Sequence, residues 1–144
     1  MCLYGDDEKL CCSPDSYAPS ETEPIRFIRE FCKQPQSAKV FKLLWTRDFA
    51  QISHISISVE SNLVTLEGAE LLAKAKMIGG AHASGLFNFN KAFDSNKKRD
   101  ENSLYHSLGA SAGNPQGVQI TFDTPTQVHE VTLEPRGMAS TWDR

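Results

Sequence analysis

Apolar and polar residues alternate with a period of two in several short stretches, and this pattern organises most of the chain. Residues 118–122 (Val-Gln-Ile-Thr-Phe) and 128–133 (Val-His-Glu-Val-Thr-Leu) show it, separated by Asp123-Thr124-Pro125-Thr126-Gln127. The pattern predicts two half-buried strands joined by a Pro-marked connection, forming an antiparallel sheet with one wet face. Residues 52–59 alternate at Ile55, Ile57 and Val59. His54 falls in phase with Ser56, which predicts a solvated histidine on the polar side of that strand. Residues 39–45 give a further strand, and Ser61-Asn62 supplies turn chemistry for a hairpin return over 63–66.

Helical spacing is confined to short segments. Ile25, Ile28, Phe31 and Cys32 share one helical face behind Pro24, with Ser20 and Thr22 as caps, which predicts a short N-terminal helix over 24–32. Residues 67–76 (EGAELLAKAK) have helix-forming composition but stop before Gly79-Gly80, leaving a helical turn and an irregular strand both open. Leu86, Phe87 and Phe89 read as core plugs beneath a loop. Residues 1–23 mix Cys, Ser, Pro and acidic residues without hydrophobic period and are expected to form a flexible leader. The sum is a mainly β fold, an antiparallel β-sandwich of jelly-roll type with a short N-terminal helix. Residues 24–144 are expected to form a single β-rich domain.

Composition narrows the function classes. A chain of 144 residues supports one core. Hydrophobic content of 40% and charged content of 23% are ordinary for a soluble globular protein. The formal net charge of -3 and the immediate offset of Lys97-Lys98-Arg99 by Asp100-Glu101 argue against nucleic acid as a partner. No apolar run approaches the roughly 20 residues of a membrane span. Acidic residues near Met1 stand where a signal peptide would be cationic and then apolar. A cytoplasmic location follows if Met1 is the natural start, an extracellular one if the chain is a processed fragment.

Cys2, Cys11, Cys12 and Cys32 lack the spacing of a zinc site, so free thiols or disulfides are expected according to compartment. The phosphate-loop, dinucleotide, nucleophile-elbow and zincin motifs are absent, and His54, His82, His106 and His129 form no i, i+4 pair. The sequence therefore assigns no catalytic residue, metal or cofactor, and an enzyme is the weaker class.

Asn90-Lys91-Ala92-Phe93-Asp94-Ser95-Asn96 resembles the N-x-A-F/I-D-G-N step of the galactose-binding-like β-sandwich family, also called discoidin or coagulation-factor C-type. Tyr105-His106, Asn114-Pro115, the two strands over 118–133 and Arg136 follow in the family's order. The resemblance covers about residues 62–144 and is nearest to the fucose-binding F-type lectins. It implies ligand binding by His106, Arg136 and Arg144, with Tyr105 or Trp142 stacking on a sugar face. Guanidinium and imidazole groups suit hydroxyl recognition in a fixed geometry. Ser95 replaces the family's usual Gly, Tyr105 its Trp, and Met138 its Asp. The chain ends where such a domain would be half complete, which implies either a protein partner or homo-oligomer that completes the sheet, or strands near 39–60 that take the places of the family's C-terminal strands. The expectation is a non-enzymatic recognition module binding a glycan or a protein through loops at one end of the sandwich. A structural or assembly subunit and a small enzyme with dispersed residues are the alternatives.

Overall fold

A computed structural model describes residues 1–12, 25–28, 37–60, 64–82, 88–93 and 104–135. Ten strands occur among them: β1 (Cys2–Gly5), β2 (Glu8–Cys12), β3 (Ile25–Ile28), β4 (Ala38–Trp45), β5 (Gln51–Val59), β6 (Thr65–Leu66), β7 (Ala75–Ile78), β8 (Tyr105–His106), β9 (Gln116–Thr126) and β10 (Val128–Pro135). Helical structure among the described residues is limited to α1 (Gly68–Leu72) and a 3₁₀ turn at Phe89–Phe93. None of it is long and apolar enough to cross a membrane. The strands form two antiparallel sheets, β2-β1-β4-β9-β7 and β3-β10-β5-β6, with β8 attached to β5.

The mainly β, antiparallel expectation is met, and register explains which residues are buried. In the first sheet Phe41 faces Ile120, Leu43 faces Val118 and Trp45 faces Gln116, so one side of β4 and β9 is continuous. Leu3 joins that side from β1, opposite Leu43. In the second sheet Ile57 pairs with Val131 and Ile55 with Leu133. A bulge at Ser53 then shifts the phase, so that Ile52 is the register partner of Pro135. The Ser53 hydroxyl donates to the Glu134 carbonyl at 3.1 Å. Buried side chains of both sheets belong to one hydrophobic cluster. Each large aliphatic in it contributes about 1.5–3 kcal/mol by leaving water.

Several expectations are corrected. Residues 1–12, expected in a flexible leader, form a hairpin whose first strand pairs with β4. Its turn residues Asp6 and Asp7 both have positive φ, 47° and 67°, as a two-residue hairpin loop requires. Asp6 Oδ1 accepts the Lys39 and Val40 N–H groups at 3.1 and 3.0 Å, and Lys42 Nζ meets Asp7 Oδ1 at 2.8 Å. These contacts stabilise a turn whose two central residues are not glycine. The hairpin carries a Cys2–Cys12 disulfide, and Cys11 is disulfide-bonded as well.

The short N-terminal helix is replaced in its described part by β3, in which Phe27 is the backbone register partner of Val131 in β10. Pairing with an available sheet edge outweighs the weak helical spacing of a few residues. The other residues of that expected helix, and residues 13–23 of the expected leader, lie outside the described residues. The 118–122 and 128–133 stretches are both strands, but they do not pair with each other. Only Gln127 separates β9 from β10, and the chain crosses there from one sheet to the other. Of the expected 63–66 return, Thr65–Leu66 form β6 on β5, with Leu66 opposite Ile57, and residue 63 lies outside the described residues. The ambiguous 67–76 segment contains both alternatives, α1 followed by the start of β7.

Candidate recognition site

One end of the two sheets is built from the residues after β4, the residues after β7, and β8 with its successors. Ser107 joins these parts. Its hydroxyl accepts from the Trp45 indole Nε1–H at 3.3 Å and from the Ala50 N–H at 2.9 Å, and donates to the Leu108 carbonyl at 2.9 Å. One donor and two acceptor positions exhaust a serine hydroxyl. The Ser107 N–H also donates to the Ala50 carbonyl at 2.9 Å. A fully buried serine thus fixes the β4–β5 connection against β8.

Gly79 and Gly80 approach this node closely. Gly79 has φ +91°, and a Cβ there would collide with the Gln116 amide. Gln116 Oε1 accepts the Gly80 N–H at 2.8 Å, while the Gly80 carbonyl receives the Leu108 N–H at 3.0 Å and the Tyr105 hydroxyl at 3.4 Å. The chain continues to His82, whose N–H donates to the His106 carbonyl at 2.8 Å.

Above this node lies an aromatic rim. The His106 ring stacks on Phe49 with centroids 4.5 Å apart and planes at 22°, and lies 4.9 Å from the His82 ring. Phe49 is 52% exposed and Leu108 42%, while His82 is exposed and His106 half-buried. His106 Nδ1 sits 2.8 Å from the Ser107 carbonyl, which only accepts, so the neutral ring carries its proton on Nδ1 and its acceptor lone pair on Nε2. The rim offers an apolar ring face, imidazole polarity and a rigid base.

The residues expected at the site fare differently. His106 is in the rim. Tyr105 is fully buried, with its ring edge-on to Phe89 at 5.3 Å, so it supports the site from below and presents no face for stacking. Burial pushes its hydroxyl pKa well above the ordinary tyrosine value. Arg136, Arg144 and Trp142 lie outside the described residues. Phe49 and His82 were not foreseen; the sequence signal for Phe49 is an isolated aromatic in the polar run Thr46-Arg47-Asp48.

A second polar locus lies on the outer side of β5. His54, expected to be solvated, keeps the phase of Ser56 but is only 4% exposed. Its Nε2 meets Glu67 Oε2 at 3.0 Å, and its Nδ1 has no hydrogen-bond partner among the described residues. His129 is half-buried and meets Glu60 Oε2 at 3.1 Å. The described residues contain no group of three or more His, Cys, Asp or Glu side chains able to hold a metal ion. No protein-family model, curated protein or solved structure matches the chain.

Proposed function

We propose that the protein is a non-enzymatic recognition module that binds a glycan at the Phe49–His106–His82 rim. The observation that carries the proposal is an exposed phenyl ring stacked on a tautomer-fixed imidazole at one end of two sheets. A pyranose has one face rich in C–H groups and a periphery of hydroxyls. Phe49 suits the face, and imidazole nitrogens suit the hydroxyls. The underlying Ser107 and Gly80 hydrogen bonds hold the rim before any ligand arrives, which lowers the entropy cost of binding.

The reading includes a sandwich, with the two sheets stacked face to face around their shared hydrophobic cluster. Discoidin-like kinship belongs to the same proposal and rests on the sequence resemblance. A second reading, an assembly subunit docking a protein on the same rim, is favoured by the joint exposure of Phe49 and Leu108. A glycan array probed with the intact chain and with Phe49→Ala and His106→Ala separates the two. Sugar binding by the wild type, weakened at least fivefold in both variants, is the expected result. If the wild type binds no sugar on the array, the glycan reading ends.

A further inference from the structure

We propose that the Cys2–Cys12 bridge is a redox-addressed clamp on the outermost strand of the first sheet. A dithiol opens it and releases β2 from β1, while β1 stays paired with β4. Cys2 and Cys12 are direct cross-strand partners at the open end of the hairpin, away from the Asp6-Asp7 turn. The bridge therefore closes the hairpin where its strands would otherwise fray.

The two strands are held unequally. β1 is anchored without the bridge: Leu3 is in the core opposite Leu43, four residue pairs join it to β4, and Asp6 and Asp7 bind Lys39, Val40 and Lys42. β2 stands at the end of the sheet order with β1 as its neighbour, and every one of its residues is exposed or half-buried. Its apolar anchoring is limited to Leu10 and Cys11, both half-buried against the core cluster, so the cross-link supplies much of its order.

The disulfides of β2 also differ in access. Cys12 is exposed, whereas Cys11 is half-buried and packs on the core cluster. Successive residues of a strand point to opposite faces, so an external thiolate reaches Cys12 first. It attacks the Cys12 Sγ, and Cys2 leaves as a thiolate that takes a proton. The reductant's second thiol then resolves the mixed disulfide and frees Cys12. The protein gains two electrons and two protons, and the dithiol becomes a disulfide. The bridge at Cys11 keeps β2 on a tether, so exchange with a disulfide oxidant, itself reduced to a dithiol, runs the same steps in reverse and restores the hairpin. In between, the outer edge of β1 offers unpaired N–H and C=O groups to an added strand.

The intact chain is titrated with dithiothreitol, its free thiols are alkylated and mapped by mass spectrometry, and amide hydrogen exchange is followed in parallel. Cys2 and Cys12 should alkylate together before Cys11. The β2 amides should then exchange about 100-fold faster, the factor expected for opening a loop of roughly ten residues, with β4 and β9 unchanged. A Cys2→Ser, Cys12→Ser double variant should show the same exchange without reductant. Earlier alkylation of Cys11, reduction only with simultaneous exchange in β4 and β9, or wild-type protection of β2 in the double variant would each overturn the clamp.

Discussion

Replacing Ser107 by alanine tests the logic of the site most directly. The change removes one oxygen atom from a fully buried position and leaves the backbone bonds of residue 107 in place. Three groups lose their partner. The Leu108 carbonyl loses a partly buried donor, and a carbonyl with a spare lone pair tolerates that loss better than an N–H does. The Trp45 indole N–H is different, because Trp45 is only 5% exposed. A buried donor left unsatisfied costs about 1–3 kcal/mol. The Ala50 N–H is partly buried and adds about 1 kcal/mol. Ser107→Ala should therefore destabilise the chain by about 2–4 kcal/mol. With a urea slope of about 1–3 kcal/mol per molar, the midpoint falls by roughly 1–2 M. Urea unfolding followed by tryptophan fluorescence reads it. Trp45→Phe, which deletes one of the donors, should make the serine substitution less costly in a double-mutant cycle. A loss below about 0.5 kcal/mol would refute the central role given to this hydroxyl.

Three further outcomes follow from single contacts. Gly79→Ala places a methyl group against the Gln116 amide at positive φ, and thermal unfolding should show a loss of about 2–4 kcal/mol, combining backbone strain with the weakened Gly80–Gln116 bond. Glu67→Ala leaves the buried His54 Nε2–H without its carboxylate and should cost about 1–3 kcal/mol in urea unfolding, while Glu67→Gln, which keeps an acceptor, should cost less. Tyr105 has its folded-state pKa raised by desolvation, so its contribution to stability is fully present below the unfolded value of about 10 and is lost as pH rises beyond it. An ultraviolet titration of the three tyrosines should show Tyr105 ionising only together with alkaline unfolding; ionisation in the folded protein near the ordinary value would contradict its burial.

The strands at 39–45, 52–59, 118–122 and 128–133 were legible because β-branched and aromatic residues alternate with polar ones there, and burial of one face enforces that period. Their partners were not. Two strands separated by a short Pro-containing run look like a hairpin, yet whether the chain turns back or crosses to another sheet depends on which edge is open in three dimensions. Asp6-Asp7 carries no glycine, so the hairpin it closes has no strong local turn signal; distant Lys39, Val40 and Lys42 supply the stabilisation. His54 was assigned to the correct side of its strand, but periodicity describes direction and not what covers that side. For Tyr105 and His106, adjacent residues on a two-residue strand, alternation could not say which one faces inward. His106 was singled out from its resemblance to a known motif, whereas Phe49 and His82 join it only because Ser107 brings separate segments together.

The crossing at Gln127 has a mechanical consequence. It joins the two sheets covalently through one residue beside the Val59–Val128 and Ala38–Thr126 pairs, whereas the rim stands at the opposite end, beside Gln51–His106 and Trp45–Gln116. A second covalent crossing stands at that end, where the five residues between Trp45 and Gln51 carry the chain from β4 to β5, so the two sheets are strapped together at both ends. The Trp45–Ser107–Ala50 contacts brace this second strap, which also carries Phe49. A molecule seated on the rim would therefore bear on a connection between the sheets and not on one sheet alone.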